Sequence, residues 1–194
     1  MDADPAELVR SGYNAISRAY RSDDDPAREY GPWLASLLER IPGQGQVLDI
    51  GCGCGVPVAR RLVAGAVFLR ADATDLDFPP RTFDAVVCLY ALIHMPLDRQ
   101  PLLLRDIARW LRPGGWLLAV TGQDAWTGTE DNWLGGTAPM WWSQADAAAY
   151  RTWLTQAGLE VTSQQFVPEG DSGHALFWAQ ARQPGSRQAK KEPR

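Results

Sequence analysis

Residues 47–55 read VLDIGCGCG, an apolar run that ends on a carboxylate and passes into three glycines alternating with two cysteines. Glycine accepts positive φ and lets a ligand come close to the backbone, and a helix that follows such a turn offers its N-terminal amides. Those amides alone would suit an anion. Asp49, two residues ahead of Gly51, reverses the preference. A diphosphate on the turn would lie beside a negative charge, whereas a cationic ligand would be drawn to it. The segment reads as a site for a ligand that carries positive charge and no phosphate.

Other side chains could do chemistry around such a ligand. The chain has two histidines, His94 and His174, the residues that titrate near neutrality and can serve as a general base. Four of its nine tryptophans fall in WTGTEDNWLGGTAPMWWS. Aromatic walls suit planar or apolar acceptors; Trp126 and Trp133 read as pocket residues, while Trp141 and Trp142 equally suit packing at the start of the next helix. Tyr13 and Tyr20 share one face of the first helical stretch, where aromatic rings can screen a cation. Cys52, Cys54 and Cys88 are an odd three, without zinc-type spacing to either histidine, and read as reduced, semi-apolar side chains with no metal.

The elements that would position these residues can be read from periodicity. Asp4-Pro5-Ala6-Glu7 suits a helix start with a capping acid, and Val9, Tyr13, Ile16 and Tyr20 form a stripe behind it. Asp23-Asp24-Asp25-Pro26 opens a second helix with Trp33, Leu34, Leu37, Leu38 and Ile41 inward, ended by Pro42-Gly43. Val47–Ile50, Val67–Ala71, Ala85–Leu89 and Trp116–Val120 are short apolar runs without clean alternation, as in strands covered on both faces. Arg99–Leu111, with Asp98 as its cap, and a stretch opening at Ser143-Gln144-Ala145-Asp146 read as helices. Leu159–Val167 and His174–Ala181, separated by PEGDSG, read as a closing antiparallel hairpin. The order predicts an α/β fold, an open doubly wound and mostly parallel sheet. Residues 1–181 would form one domain with a helical cap over 1–42, and 182–194 a disordered basic tail.

Composition bounds the class. A chain of 194 residues with a net charge of −4 lacks the basic footprint of nucleic-acid binding, and no apolar run suits a membrane helix. The N-terminus has no apolar secretory core, so a cytoplasmic location is expected.

VLDIGCGCG followed by PVARRL resembles the first motif of class I S-adenosylmethionine-dependent methyltransferases. The resemblance continues through LRADATDLDFPPRTFDAVVCLYALIHMP, RDIARWLRPGGWLLA and EGDSGHALFWA. It implies a Rossmann-like methyltransferase fold with strand order 3-2-1-4-5-7-6, and S-adenosylmethionine as cofactor. It further implies that Asp49 orients the methionine end and that Gly51, Gly53 and Gly55, with Cys52, wrap it. The backbone at Leu89 would then face the cofactor's amino group.

One strand and one helix fewer than usual are legible. Only Val67–Ala71 lies between the glycine turn and the Phe83-Asp84 strand start, where the family has two strands. A compact crossover needs a dozen or more residues, and there is room for one. Paired directly beside Val47–Ile50, the surviving strand would avoid an unfilled slot, bringing Asp72 and Ala73 to the cofactor, with Asp72 on the ribose.

The leading expectation is methyl transfer to an O or N atom of a small aromatic or apolar molecule. His94 would be the base, Tyr13, Trp126, Trp133 and His174 would line the acceptor pocket, and Tyr20 would screen the cofactor. The chain would be a monomer or homodimer without nucleic acid, membrane or metal partners. The alternatives are a cofactor-deficient remnant acting as a scaffold and, less favoured by Asp49 and the glycine spacing, an NAD-dependent oxidoreductase.

Overall fold

A computed structural model describes residues 4–20, 30–51, 76–133 and 139–183, with side chains described in the first helix except at residue 6 and residues 14–20. Its elements are α1 (Pro5–Tyr20), α2 (Tyr30–Leu38), β1 (Val47–Asp49), β2 (Phe83–Leu89), a 3-10 turn (Leu92–His94), α3 (Gln100–Trp110), β3 (Leu111–Gly122), β4 (Trp126–Glu130), β5 (Met140–Gln144), α4 (Ala147–Gln156), β6 (Leu159–Glu169) and β7 (Ser172–Ala181). Among the described residues five strands form one sheet in the order β1-β2-β3-β7-β6, and β4 and β5 form a separate pair. The β1–β2 and β2–β3 pairs are parallel, while β7 runs antiparallel to both β3 and β6. The Val67–Ala71 run and the Asp23–Pro26 helix start lie outside the described residues.

Alternate residues of the central strands feed two cores. Ala85 and Val87, Leu118 and Val120, Leu176 and Trp178 face α2, where they meet Tyr30, Leu34 and Leu37. Val86 and Cys88, Leu117 and Ala119, Phe177 and Ala179 face α3 and α4, where they meet Leu104, Ile107, Trp110, Tyr150 and Leu154. Both faces are covered, which is why these runs carry no polar residue every second position.

Several boundaries differ from the sequence reading. Leu38, assigned to the buried stripe of the second helix, is exposed, because the helix ends there. Asp98 does not cap α3: the cap position is Arg99, in helical conformation and without a side-chain bond. Arg99 N–H already donates to Pro96 O, so the chain is turning before the helix begins. Asp146 does cap α4, accepting from the Ala149 N–H at 2.7 Å. Ser143 and Gln144 belong instead to β5. The tryptophan-rich connection holds an antiparallel hairpin, in which Trp126–Glu130 pairs with Met140–Gln144.

The hairpin gives α1 a surface. Gly12 of α1 packs against it: a Cβ there would lie 2.7 Å from Met140 Cε, the flexible end of that side chain, and 3.4 Å from Pro139 O.

Candidate functional site

β1 delivers Asp49 to the carboxyl edge of the sheet, opposite Val87 of β2. Ile50 N–H donates to Val87 O at 2.8 Å, so the chain stays on the sheet one residue longer before it bends. At the bend, Gly51 has φ +77°, and a Cβ there would lie 2.5 Å from Ala91 Cβ. Both the conformation and the space demand glycine.

Asp49 is half-buried as a residue, but its Oδ2 is fully buried and has no hydrogen-bond partner among the described residues. Burial pushes its carboxyl up to about 7. The neighbouring Cys88 thiol is pushed up to about 12, by burial first and by the Asp49 charge second, which leaves it inert as a nucleophile. A buried carboxylate without a partner is costly, and a cationic group at the bend would relieve it. The arrangement fits a ligand bearing an ammonium or sulfonium.

Of the other residues assigned to that ligand, Cys52, Gly53, Gly55, Asp72 and Ala73 lie outside the described residues. Leu89 ends β2 opposite Val120, and Tyr20 is the last residue of α1, its side chain outside the description.

His94 closes the 3-10 turn just beyond β2 and is 8% exposed. Its Nδ1 lies 2.9 Å from the carbonyl oxygen of Trp141. An oxygen that only accepts requires Nδ1–H, which leaves Nε2 with its lone pair. That lone pair lies 2.9 Å from the Tyr13 hydroxyl of α1, which therefore donates to it. Burial brings the His94 imidazole down to about 4, against an upward pull from the Trp141 carbonyl and with a lesser downward push from the His174 charge. His94 is thus a neutral imidazole of fixed tautomer.

Aromatic rings enclose it. Trp142 tilts over the imidazole with centroids 4.4 Å apart, and Trp133 stands edge-on to both Trp142 and Tyr13 at 5.2 and 5.8 Å. The Nε1–H of Trp142 is buried and has no hydrogen-bond acceptor among the described residues. Two buried loose ends therefore lie around the carboxyl edge: a carboxylate oxygen and an indole donor.

His174 reaches the same edge from β7, opposite Gly122. Its Nδ1 faces Thr121 O at 3.3 Å and its Nε2 faces Glu169 at 2.7 Å. Both nitrogens face acceptor oxygens, which holds the His174 ring in place at this edge. Tyr90, at φ +63°, sets its ring edge-on to His174 at 4.9 Å. Sequence reasoning passed over Tyr90 and left Trp142 undecided; a tyrosine directly after a strand at a ligand edge was the available signal for the first. Trp126 is 46% exposed at the start of β4, its ring against Gly128, and stands apart from the Tyr13–His94–Trp133–Trp142 group.

A family model described as a methyltransferase domain matches residues 20–164. The chain is 35% identical over 111 aligned residues to 27-O-demethylrifamycin SV methyltransferase of Amycolatopsis mediterranei, covering 42% of this chain and 40% of that one. It spans less than half the length of such curated relatives. Among solved structures, 1,6-didemethyltoxoflavin-N1-methyltransferase of Burkholderia thailandensis, with 1,6-didemethyltoxoflavin and S-adenosylhomocysteine bound, superposes with a TM-score of 0.69. That match is at 19% identity, over 94% of this chain and 92% of that one. The [4+2]-cyclase SpnF superposes with a TM-score of 0.66 at 17% identity, over 95% and 98% of the two chains. At such identities these likenesses concern the fold.

Proposed function

The chain belongs to the methyltransferase-domain family, and from that premise we propose that it binds S-adenosylmethionine and transfers its methyl group to a small aromatic or apolar acceptor. The observation that carries this reading is the buried, partnerless Asp49 Oδ2 beside the Gly51 bend. When bound, the cofactor supplies a methyl group already activated on a sulfonium. Asp49 would hold the cationic methionine end, and Gly51 would keep the backbone close to it.

The chain's own residues then have to orient the acceptor, exclude water and take a proton. The aromatic group of Tyr13, Trp133 and Trp142 supplies the walls. His94 Nε2 accepts the proton of the attacking group. An imidazole that titrates at about 4 is a weak base, yet an attacking oxygen becomes strongly acidic as its new bond to carbon forms. A neutral lone pair, held by the Tyr13 hydroxyl until the acceptor displaces it, is then sufficient. Among O and N acceptors we favour a hydroxyl, which can take the place of the Tyr13 hydroxyl as donor to His94 Nε2. His174, held by Glu169, lies at the same edge.

The shortened Val56–Phe83 stretch supports a second reading, a cofactor-deficient scaffold. Titration calorimetry with S-adenosylhomocysteine, S-adenosylmethionine and NAD separates the readings. Binding of the first two supports the proposal, no binding supports the scaffold, and binding of NAD alone overturns both.

A further inference from the structure

The open edge of β5 is closed by side chains. β5 pairs with β4 on one side, and the carbonyls of Trp141 and Ser143, two residues apart, point to the other, because strand carbonyls alternate with the pleat. Trp141 O takes the His94 Nδ1–H. Ser143 O takes a bond from Gln100 Nε2 at 2.7 Å.

Gln100 opens α3 and is fully buried. Its second amide hydrogen reaches Met95 O, also at 2.7 Å, and its Oε1 accepts from the Tyr150 hydroxyl of α4 at 2.6 Å. The carboxamide therefore bonds at both ends, with no water competing. Met95 directly follows His94, and Ser143 lies two residues from the carbonyl that fixes the imidazole. One side chain thus grips the catalytic turn from behind and, from the front, the strand that sets its tautomer.

We propose that Gln100, braced by Tyr150, is the positioning residue that keeps His94 in its Nδ1–H form, with Nε2 unprotonated toward the Tyr13 hydroxyl and the acceptor. The inference rests on reading His94 as the proton acceptor. Without the Gln100 bridge, Ser143 O and Met95 O lose their donor, β5 is free to shift against the 3-10 turn, and the Trp141 carbonyl no longer selects one tautomer.

The chain has only two histidines, so nitrogen-15 NMR of the histidine-labelled full chain reads two imidazoles, assigned with a His174→Asn variant. In the wild type His94 should show one protonated Nδ1 and one bare Nε2 between pH 5.5 and 8. In Gln100→Met, similar in shape but unable to bridge, the two His94 signals should converge. Its titration midpoint should rise by about a unit or more toward the usual 6.5, with His174 unchanged. Tyr150→Phe removes only the brace and should move both readouts less, in the same direction; it serves alone if Gln100→Met does not fold. A folded Gln100→Met, or failing that a folded Tyr150→Phe, with the wild-type pattern overturns the proposal. The readout needs neither cofactor nor acceptor. A His94→Gln chain that still methylates at full rate would sink the base assignment and leave the tautomer result standing.

Discussion

Asp49→Asn should make the ligand-free protein more stable at pH 8 while removing what the site exists to hold. Burial lifts the Asp49 carboxyl from 3.8 to about 7. The unfolded chain titrates it at the ordinary value. Between about pH 4 and 7 the folded state therefore carries the extra proton, and this group's contribution to stability falls as pH rises through that window. Above pH 7 the fold bears a buried, unpaired charge. About three pKa units at about 1.4 kcal/mol each set an upper figure near 4 kcal/mol. The asparagine amide is also left without partners, at about 1–3 kcal/mol, so the net gain at pH 8 is about 1–3 kcal/mol. For a chain of this size that is a melting-temperature rise of about 2–12 °C. At pH 5 the gain should vanish or reverse. Thermal melts followed by circular dichroism at the two pH values measure it. A mutational shift of equal size at pH 5 and pH 8 would refute the buried-charge argument.

Other substitutions probe separate parts of the site. Gly51→Ala forces a Cβ to 2.5 Å from Ala91 Cβ at φ +77°. It should cost about 1–3 kcal/mol in denaturant unfolding, and the added Ala91→Gly should recover only the steric share. Tyr13→Phe removes the hydroxyl that donates to His94 Nε2, favouring the charged imidazole. NMR titration should show the His94 midpoint rising from about 4. Trp142→Phe removes a buried donor without an acceptor. Chemical unfolding should find it neutral or stabilising by up to about 1 kcal/mol, with S-adenosylhomocysteine affinity unchanged and methylation of a hydroxyl acceptor reduced.

The strands were legible because burial on both faces leaves a compositional mark. Ala85–Leu89 and Val47–Ile50 carry it, and both pair as read. Asp49 and Gly51 were legible because a carboxylate and a glycine bend are local features. The Tyr13–His94 bond joins residues 81 positions apart, and no local period encodes such a pairing. Gln100 sits in the polar run Asp98-Arg99-Gln100, which reads as solvated, yet tertiary packing buries it completely. The hairpin at Trp126–Gln144 was hidden by the Gly135-Gly136 and Pro139 breaks between its strands, which read as loop throughout.

A crystal structure with S-adenosylhomocysteine tests the central claim most directly. The account predicts the ligand's amino group within about 3 Å of Asp49 Oδ2, at the bend after β1, with its sulfur turned toward His94. An amino group bound elsewhere, or a bend filled by the protein's own side chains with the ligand excluded, would contradict it.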